Sequence, residues 1–120
     1  MNEGYVTTTD GDGMNPIHII NVRAKRLDAM ALSALIAEVE PMLADGHGPL
    51  ALVLDEVEYI DSLGLSVLIS LKRKCRDRKL VLVGMRGFVA TIARVTHLAE
   101  IFDIFPDLAS AERVLASNAS

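Results

Sequence analysis

Hydrophobic positions along the chain follow two kinds of pattern. "LALVL" at 50–54 and "KLVLV" at 79–83 are short apolar runs bounded by Gly, Pro or charge. Strands buried on both faces have this form, and such strands lie in sheets covered by helices. "IHIINV" at 17–22 begins by alternating, which suits a strand nearer a sheet edge. "YVTTT" at 5–9 is placed to pair with it through "DGDG" at 10–13, because Asp-Gly is a strong hairpin signal. A last run, "IFDIF" at 101–105, alternates around Asp103 and is stopped by Pro106.

Between these runs the apolar spacing changes to three and four. From Ala29 to Leu43 the residues Leu32, Leu35, Ile36, Val39 and Leu43 share one helical face. Asp28 is placed to cap this helix, and Pro41 is expected to end or bend its last turn. From Leu63 to about Arg76, a stripe of Gly64, Leu68, Leu71 and Cys75 predicts a second helix. Its basic end suits the negative pole of the helix dipole. "FVATIARVTHL" predicts a third helix with Phe88, Ile92 and Val95 on its apolar face. "PDLASAERVL" predicts a fourth with Leu108, Ala111 and Leu115 aligned. No repeat or low-complexity segment interrupts the order. These elements predict a single α/β domain: a central mixed β-sheet, with an N-terminal hairpin plus largely parallel strands, packed against about four helices. Residues 1–14 form the edge strand and turn, and 15–120 the rest of the domain.

Composition narrows the possibilities. The chain has 120 residues, enough for one domain. With no Trp and only 4% aromatic residues, its core is aliphatic. The 12 basic and 16 acidic side chains leave a net charge of −4, which disfavours nucleic acid and anionic membranes as partners. The single cysteine, Cys75, excludes an internal disulfide and any multi-cysteine metal site. "MNEGYVTTTDGDG" has neither a basic start nor an apolar run, so it is not a secretory signal. No stretch approaches the roughly 18 apolar residues of a membrane span. The expected location is the cytoplasm.

Candidate chemistry concentrates in "EYIDSLGLSVL", Glu58–Leu68. The turn follows a predicted strand and opens a helix, the end of an α/β sheet at which ligands and partners are met. Ser62 is placed as an N-cap, accepting from Gly64 or Leu65 N–H. A cap alone would explain Asp-Ser before an apolar run. Two features point beyond it. Gly64 gives up about 1 kcal/mol of helix propensity relative to Ala, which would bare the backbone around the hydroxyl. Leu63 and Leu65 flank Ser62 in a first turn that can leave them at the surface, and an exposed Leu-Gly-Leu beside a hydroxyl makes a docking patch.

"YIDSLGLSVLISLKRK" resembles the signature of the STAS family, the anti-sigma-factor antagonists, whose usual form reads Asp-Ser-Ser-Gly-Leu. "RLDAM" at 26–30 is similar to the family's Gly-x-Leu-Asp before its first helix, and "LALVLDEVEYID" to the strand and connection before the phosphorylatable serine. The segment from Lys79 to Leu115 follows the family's later strand, helix, strand and helix. The resemblance runs from about residue 15 to the end. It implies a single STAS-like domain in which Ser62 is phosphorylated by a partner anti-sigma factor serine kinase and dephosphorylated by a metal-dependent serine phosphatase. By the same resemblance Asp28 lies near that serine, and Asp61, Leu63, Gly64 and Leu65 form the surrounding partner-binding turn. Leu63 replaces the usual second serine, and Lys25 stands where the family has glycine three residues before the acid. The sequence holds no paired acid–base, nucleophile or metal constellation, so no catalysis and no cofactor are expected, and the expected state is a monomer or weak dimer. The resemblance also admits a STAS module of another pathway controlling stress signalling, secretion or motility, or one associated with a transporter.

Other readings lack their residues. A response-regulator receiver needs an acidic pair after its first strand and a lysine ending a late one; "IINVRAK" and "IFDIFPD" supply neither. There is no Gly-x-Ser-x-Gly elbow at Ser62, no Walker loop and no dinucleotide fingerprint. "GMRG" at 84–87 reads as a tight turn into the third helix, with phosphate binding the alternative. His18, His47 and His97 show no metal-ligand spacing. "DGDG" lacks the glutamate that would close a calcium loop. "KRKCRDRK" at 72–79 reads as a solvated helix end, since no aromatics interleave its charges.

Overall fold

The computed structural model describes residues 6–9, 17–45, 48–75 and 78–118. Five strands run β1 (Val6–Thr9), β2 (His18–Val22), β3 (Leu50–Val53), β4 (Leu80–Val83) and β5 (Asp103–Phe105), and they lie in the sheet in that order. β1 is antiparallel to β2, as the hairpin reading predicts, and every later pair is parallel. The "DGDG" turn itself lies outside the described residues. Helices α1 (Ala29–Asp45), α2 (Ser62–Cys75) and α3 (Gly87–Val95) follow β2, β3 and β4, and α4 (Leu108–Asn118) follows β5.

The apolar runs have the burial their composition requires. β3 and β4 are buried at every position. Ile20, Leu50, Leu52, Leu80 and Leu82 pack with α1, α2 and α3 in the larger core. Ile19, Ala51, Val53, Val81 and Val83 form a smaller core on the other face beneath Ala111 and Leu115 of α4. Residues of odd and even number therefore divide between two apolar layers, so alternation disappears from the sequence of the central strands.

At two helices and one strand the structure refines the pattern. Pro41 does not end α1, which continues to Asp45. The bond lost with its missing N–H would have gone to Ala37, and both residues are exposed, where water can replace it. On α3 the buried residues are Val89 and Ala93, whereas Phe88 and Val95 are exposed and Ile92 is half-buried. The stripe is displaced by one position because the helix begins at Gly87 and turns Val89 toward the sheet. On β5, only the last three residues of "IFDIF" join the sheet; Phe102 is buried before the strand begins. The stripes on α2 and α4 fall as predicted: Gly64, Leu68, Leu71 and Cys75 are buried, as are Ala111 and Leu115, with Leu108 packed beside them.

Candidate functional site

The loops leaving β2, β3 and β4 meet at the C-terminal end of the parallel strands. Two of them run side by side beyond the sheet. Lys25 O accepts N–H bonds from Glu58 (2.7 Å) and Tyr59 (3.0 Å), and Leu27 N–H donates to Tyr59 O at 3.1 Å. This short parallel bridge brings the start of α1 beside the start of α2. Lys25, at the position where a glycine was expected, contributes through its carbonyl, so the pairing does not require glycine there.

Each helix start carries an aspartate cap. Asp28 Oδ1 accepts from Ala31 N–H at 3.0 Å, and its main-chain oxygen accepts from Leu32 at 2.9 Å. Asp61 Oδ1 accepts from Gly64 N–H at 3.1 Å, and its main-chain oxygen accepts from Leu65 at 3.0 Å. The expected assignment of Ser62 as N-cap is therefore wrong by one residue. The carbonyl that takes the first helical bond belongs to Asp61, which makes Asp61 the cap and Ser62 the first helical residue. Ser62 is exposed, and among the described residues no hydrogen bond engages its hydroxyl. The N–H groups of Ser62 and Leu63 likewise find no acceptor among the described residues.

The Leu-Gly-Leu patch also changes character. Leu63 is 52% exposed, but Leu65 is half-buried against the core and Gly64 is buried. A Cβ on Gly64 would stand 2.7 Å from Ile60 Cγ1 and 3.7 Å from Leu27 Cβ. Gly64 therefore lets α2 sit against Ile60 and Leu27, and does not bare backbone to solvent.

Other apolar groups surface at the same end of the domain. Met30 in the first turn of α1 is 64% exposed. Tyr59 and Phe88 stack with ring centroids 5.6 Å apart and an interplanar angle of 1°, and the Arg26 guanidinium lies 4.7 Å over the Tyr59 ring. Sequence reading missed this stack. Helical spacing puts Phe88 on a core face, and Tyr59 carries no periodic signal; the hint is two aromatics in a chain with so few. The loop after β4 is held by Arg86, whose guanidinium donates twice to Asp55 O (2.9 and 3.2 Å). "GMRG" is the tight turn expected, with Gly84 and Gly87 both at positive φ. Gly84 passes so close to Asp55 that a Cβ would meet Asp55 Cβ at 3.0 Å.

The remaining candidates have structural partners. Cys75 is buried, which pushes its thiol up from the usual range, while Arg78 and Lys72 partly oppose the shift. In the basic stretch, Lys74 pairs with Glu40 and Lys79 with Asp103, and Arg78 donates to Met42 O and Gly48 O. His97 adopts a left-handed backbone and pairs with Glu100 at 3.0 Å. His47 lies outside the described residues. Among the described residues no group of three potential ligands could hold a metal ion. No helix among them is long and apolar enough to cross a membrane.

Comparison with known proteins places this geometry. A comparison with curated proteins returned no match. Among solved structures, an anti-sigma factor antagonist from Mycobacterium paratuberculosis is similar with a TM-score of 0.76 and 23% identity, over 93% of this chain and 95% of that one. A STAS domain protein from Planctomyces limnophilus superposes with a TM-score of 0.74 at 12% identity, covering 93% and 98%. A murine solute carrier 26 family member A9 anion transporter gives 0.67 at 17% identity, over 84% of this chain but only 18% of the transporter. These likenesses establish the shared fold. The STAS domain model matches residues 12–111, which takes in every element from β2 through the first turn of α4, and this chain belongs to the STAS domain family.

Proposed function

We propose that this chain is an anti-sigma factor antagonist, a protein-binding module switched by phosphorylation at Ser62. The unmodified form binds an anti-sigma-type serine kinase through Asp28, Asp61, Ser62, Leu63, Gly64 and Leu65. The kinase transfers phosphate to Ser62 and releases the product, and a metal-dependent serine phosphatase restores the first state. In this reading the domain works in the cytoplasm, is not itself an enzyme and uses no cofactor.

The observation that carries the reading is the division of labour between Asp61 and Ser62. Because Asp61 caps α2, the Ser62 hydroxyl is not committed to holding the helix. It stands exposed in the first turn beside exposed Leu63. A phosphate there adds about 1.5 to 2 negative charges. The free N–H groups of Ser62 and Leu63 and the positive end of the helix dipole accommodate that charge, so the fold survives modification. A partner seated on Leu63 would instead have to bury that charge beside Asp61, at the cost of its desolvation and of like-charge repulsion. Of the six residues, Gly64 contributes by letting α2 approach Ile60, and Leu65 by anchoring the turn to the core.

Incubation with an anti-sigma-type kinase and ATP tests this directly. One phosphate on Ser62 is expected by mass spectrometry. Ser62→Ala removes it and keeps binding, while Ser62→Asp weakens binding and keeps a native circular-dichroism spectrum. A loss of about 2–3 kcal/mol corresponds to roughly 30- to 150-fold in affinity, enough for a switch. Phosphate on Ser66 or Ser70 and not on Ser62, or phosphorylated protein that binds as tightly as unmodified protein, sinks the reading. The likeness to the transporter's domain favours a second reading, attachment to a membrane protein; it predicts binding that Ser62 modification leaves unchanged.

A further inference from the structure

Beside the Ser62 turn lies a cleft of about 500 Å³ lined by Lys25, Asp55, Glu56, Glu58, Arg86 and Phe88, among others. We infer that this cleft receives an arginine side chain from the protein partner, stacked on Phe88 and paired with the carboxylates of Asp55 and Glu58. The inference rests on the reading of this chain as a protein-binding module, and adds a second, chemically defined point of contact to it.

Three observations carry the choice of occupant. The first is that the aromatic pair already holds one guanidinium. Arg26 lies over Tyr59, Tyr59 lies over Phe88, and Phe88 in turn lines the cleft, which Tyr59 does not. Phe88 is 48% exposed and lines the cleft, so it is not fully covered by its stack with Tyr59. A second guanidinium there would extend the existing stack by one layer, and a planar cation is the group such a ring surface favours.

The second observation concerns charge. The carboxylates of Asp55 and Glu58 have no hydrogen-bond or ion-pair partner among the described residues. Glu56 differs, being paired with Arg23 at 3.5 Å. The cations that share the cleft form no ion pair with either carboxylate among the described residues. Arg86 is turned onto the main-chain oxygen of Asp55, and Lys25 makes no ion pair among the described residues. An incoming guanidinium thus finds acceptors that are not already engaged. A guanidinium brings both a fork of donors suited to carboxylates and a plane suited to an aromatic ring.

The third observation is fixed shape. Gly84 at φ +81° packs its backbone on Asp55, and Arg86 ties the two loops together through the Asp55 carbonyl. Phe88 sits in the first turn of α3, directly after these contacts. The backbone that carries Asp55 and the start of α3 that carries Phe88 are consequently tied together.

A short acetylated and amidated peptide alternating glycine and arginine, with its lysine counterpart, tests the assignment by nuclear magnetic resonance titration. The arginine peptide should shift the Phe88 ring signals and the amides of Asp55 and Glu58, and bind about three- to ten-fold more tightly than the lysine peptide. Phe88→Leu, which keeps apolar volume and removes the ring, should erase that preference. The double variant Asp55→Asn/Glu58→Gln should weaken both peptides. Equal binding of the two peptides, or an arginine preference that persists in Phe88→Leu, overturns the inference. So does inorganic phosphate shifting these signals while the arginine peptide does not. None of these readings involves Ser62 or the kinase. Loss of Ser62 phosphorylation with the cleft result intact would discredit the switch and not the cleft, and the converse holds equally.

Discussion

Exchanging Asp61 and Ser62 for alanine, one at a time, separates the residue that holds α2 from the residue left free to be modified. Asp61→Ala removes the acceptor 3.1 Å from Gly64 N–H and a carboxylate at the positive end of the helix dipole. A lost cap costs about 1 kcal/mol, within a range of about 0.5–2, and the lost charge adds about 0.3–1. For a chain of 120 residues, unfolding entropy near 60 °C amounts to about 0.25 kcal/mol per degree. Asp61→Ala should therefore lower Tm by about 5–8 °C. Ser62→Ala removes an exposed hydroxyl that makes no bond, so its effect should stay within about 0.5 kcal/mol, or about 2 °C. Asp61→Asn, which retains an acceptor and loses the charge, should fall between. Thermal melts followed by circular dichroism, with urea unfolding as a second measure, resolve differences of this size. The reasoning fails if Ser62→Ala is as costly as Asp61→Ala, because the hydroxyl would then be committed to the helix. It fails equally if Asp61→Ala is silent.

Gly64→Ala should destabilise the domain in urea although alanine is the better helix former. The clash of the new Cβ with buried Ile60 costs about 1–3 kcal/mol against a propensity gain of about 1. In an Ile60→Ala background the same change should become stabilising. Cys75 should react slowly with an aromatic disulfide reagent in the native state and rapidly in denaturant, since burial holds its thiol protonated. Asp107 caps α4 through Ser110 N–H at 2.7 Å, a bond that holds its carboxyl below the usual range, with the Ser110 hydroxyl adding to the effect. A depressed native value means the stabilisation is present above the unfolded value, near about 3.9, and is lost as pH falls through the native one. The stability difference between wild type and Asp107→Ala should accordingly be full at neutral pH and narrow in melts below about pH 4.

Much of this was determined by the sequence by itself. The runs at 50–54 and 79–83 declared buried parallel strands, and the 64, 68, 71, 75 stripe declared the inner face of α2, because burial on a period of two or 3.6 must be written into consecutive residues. Asp28 was legible as a cap for a similar reason, since a cap bonds to N–H groups two or three residues on. The Asp-Ser-Leu-Gly-Leu stretch located the candidate turn, but not which residue did what within it. Asp and Ser are both good caps, and only the path of the chain out of β3 decided that Asp61 takes the role and Ser62 is left exposed. Gly64 looked like a gap in the helix surface until Ile60 and Leu27 appeared against it. Phe88 and Val95 looked like core residues because apolar side chains at helical spacing carry no mark of which neighbours will cover them. The Tyr59–Phe88 stack joins the loop after β3 to the first turn of α3, which meet only because β3 and β4 are adjacent and parallel. Local pattern is set by forces acting within a turn or a strand, whereas exposure and stacking depend on segments far apart in the chain, and those relations exist only once the sheet has assembled.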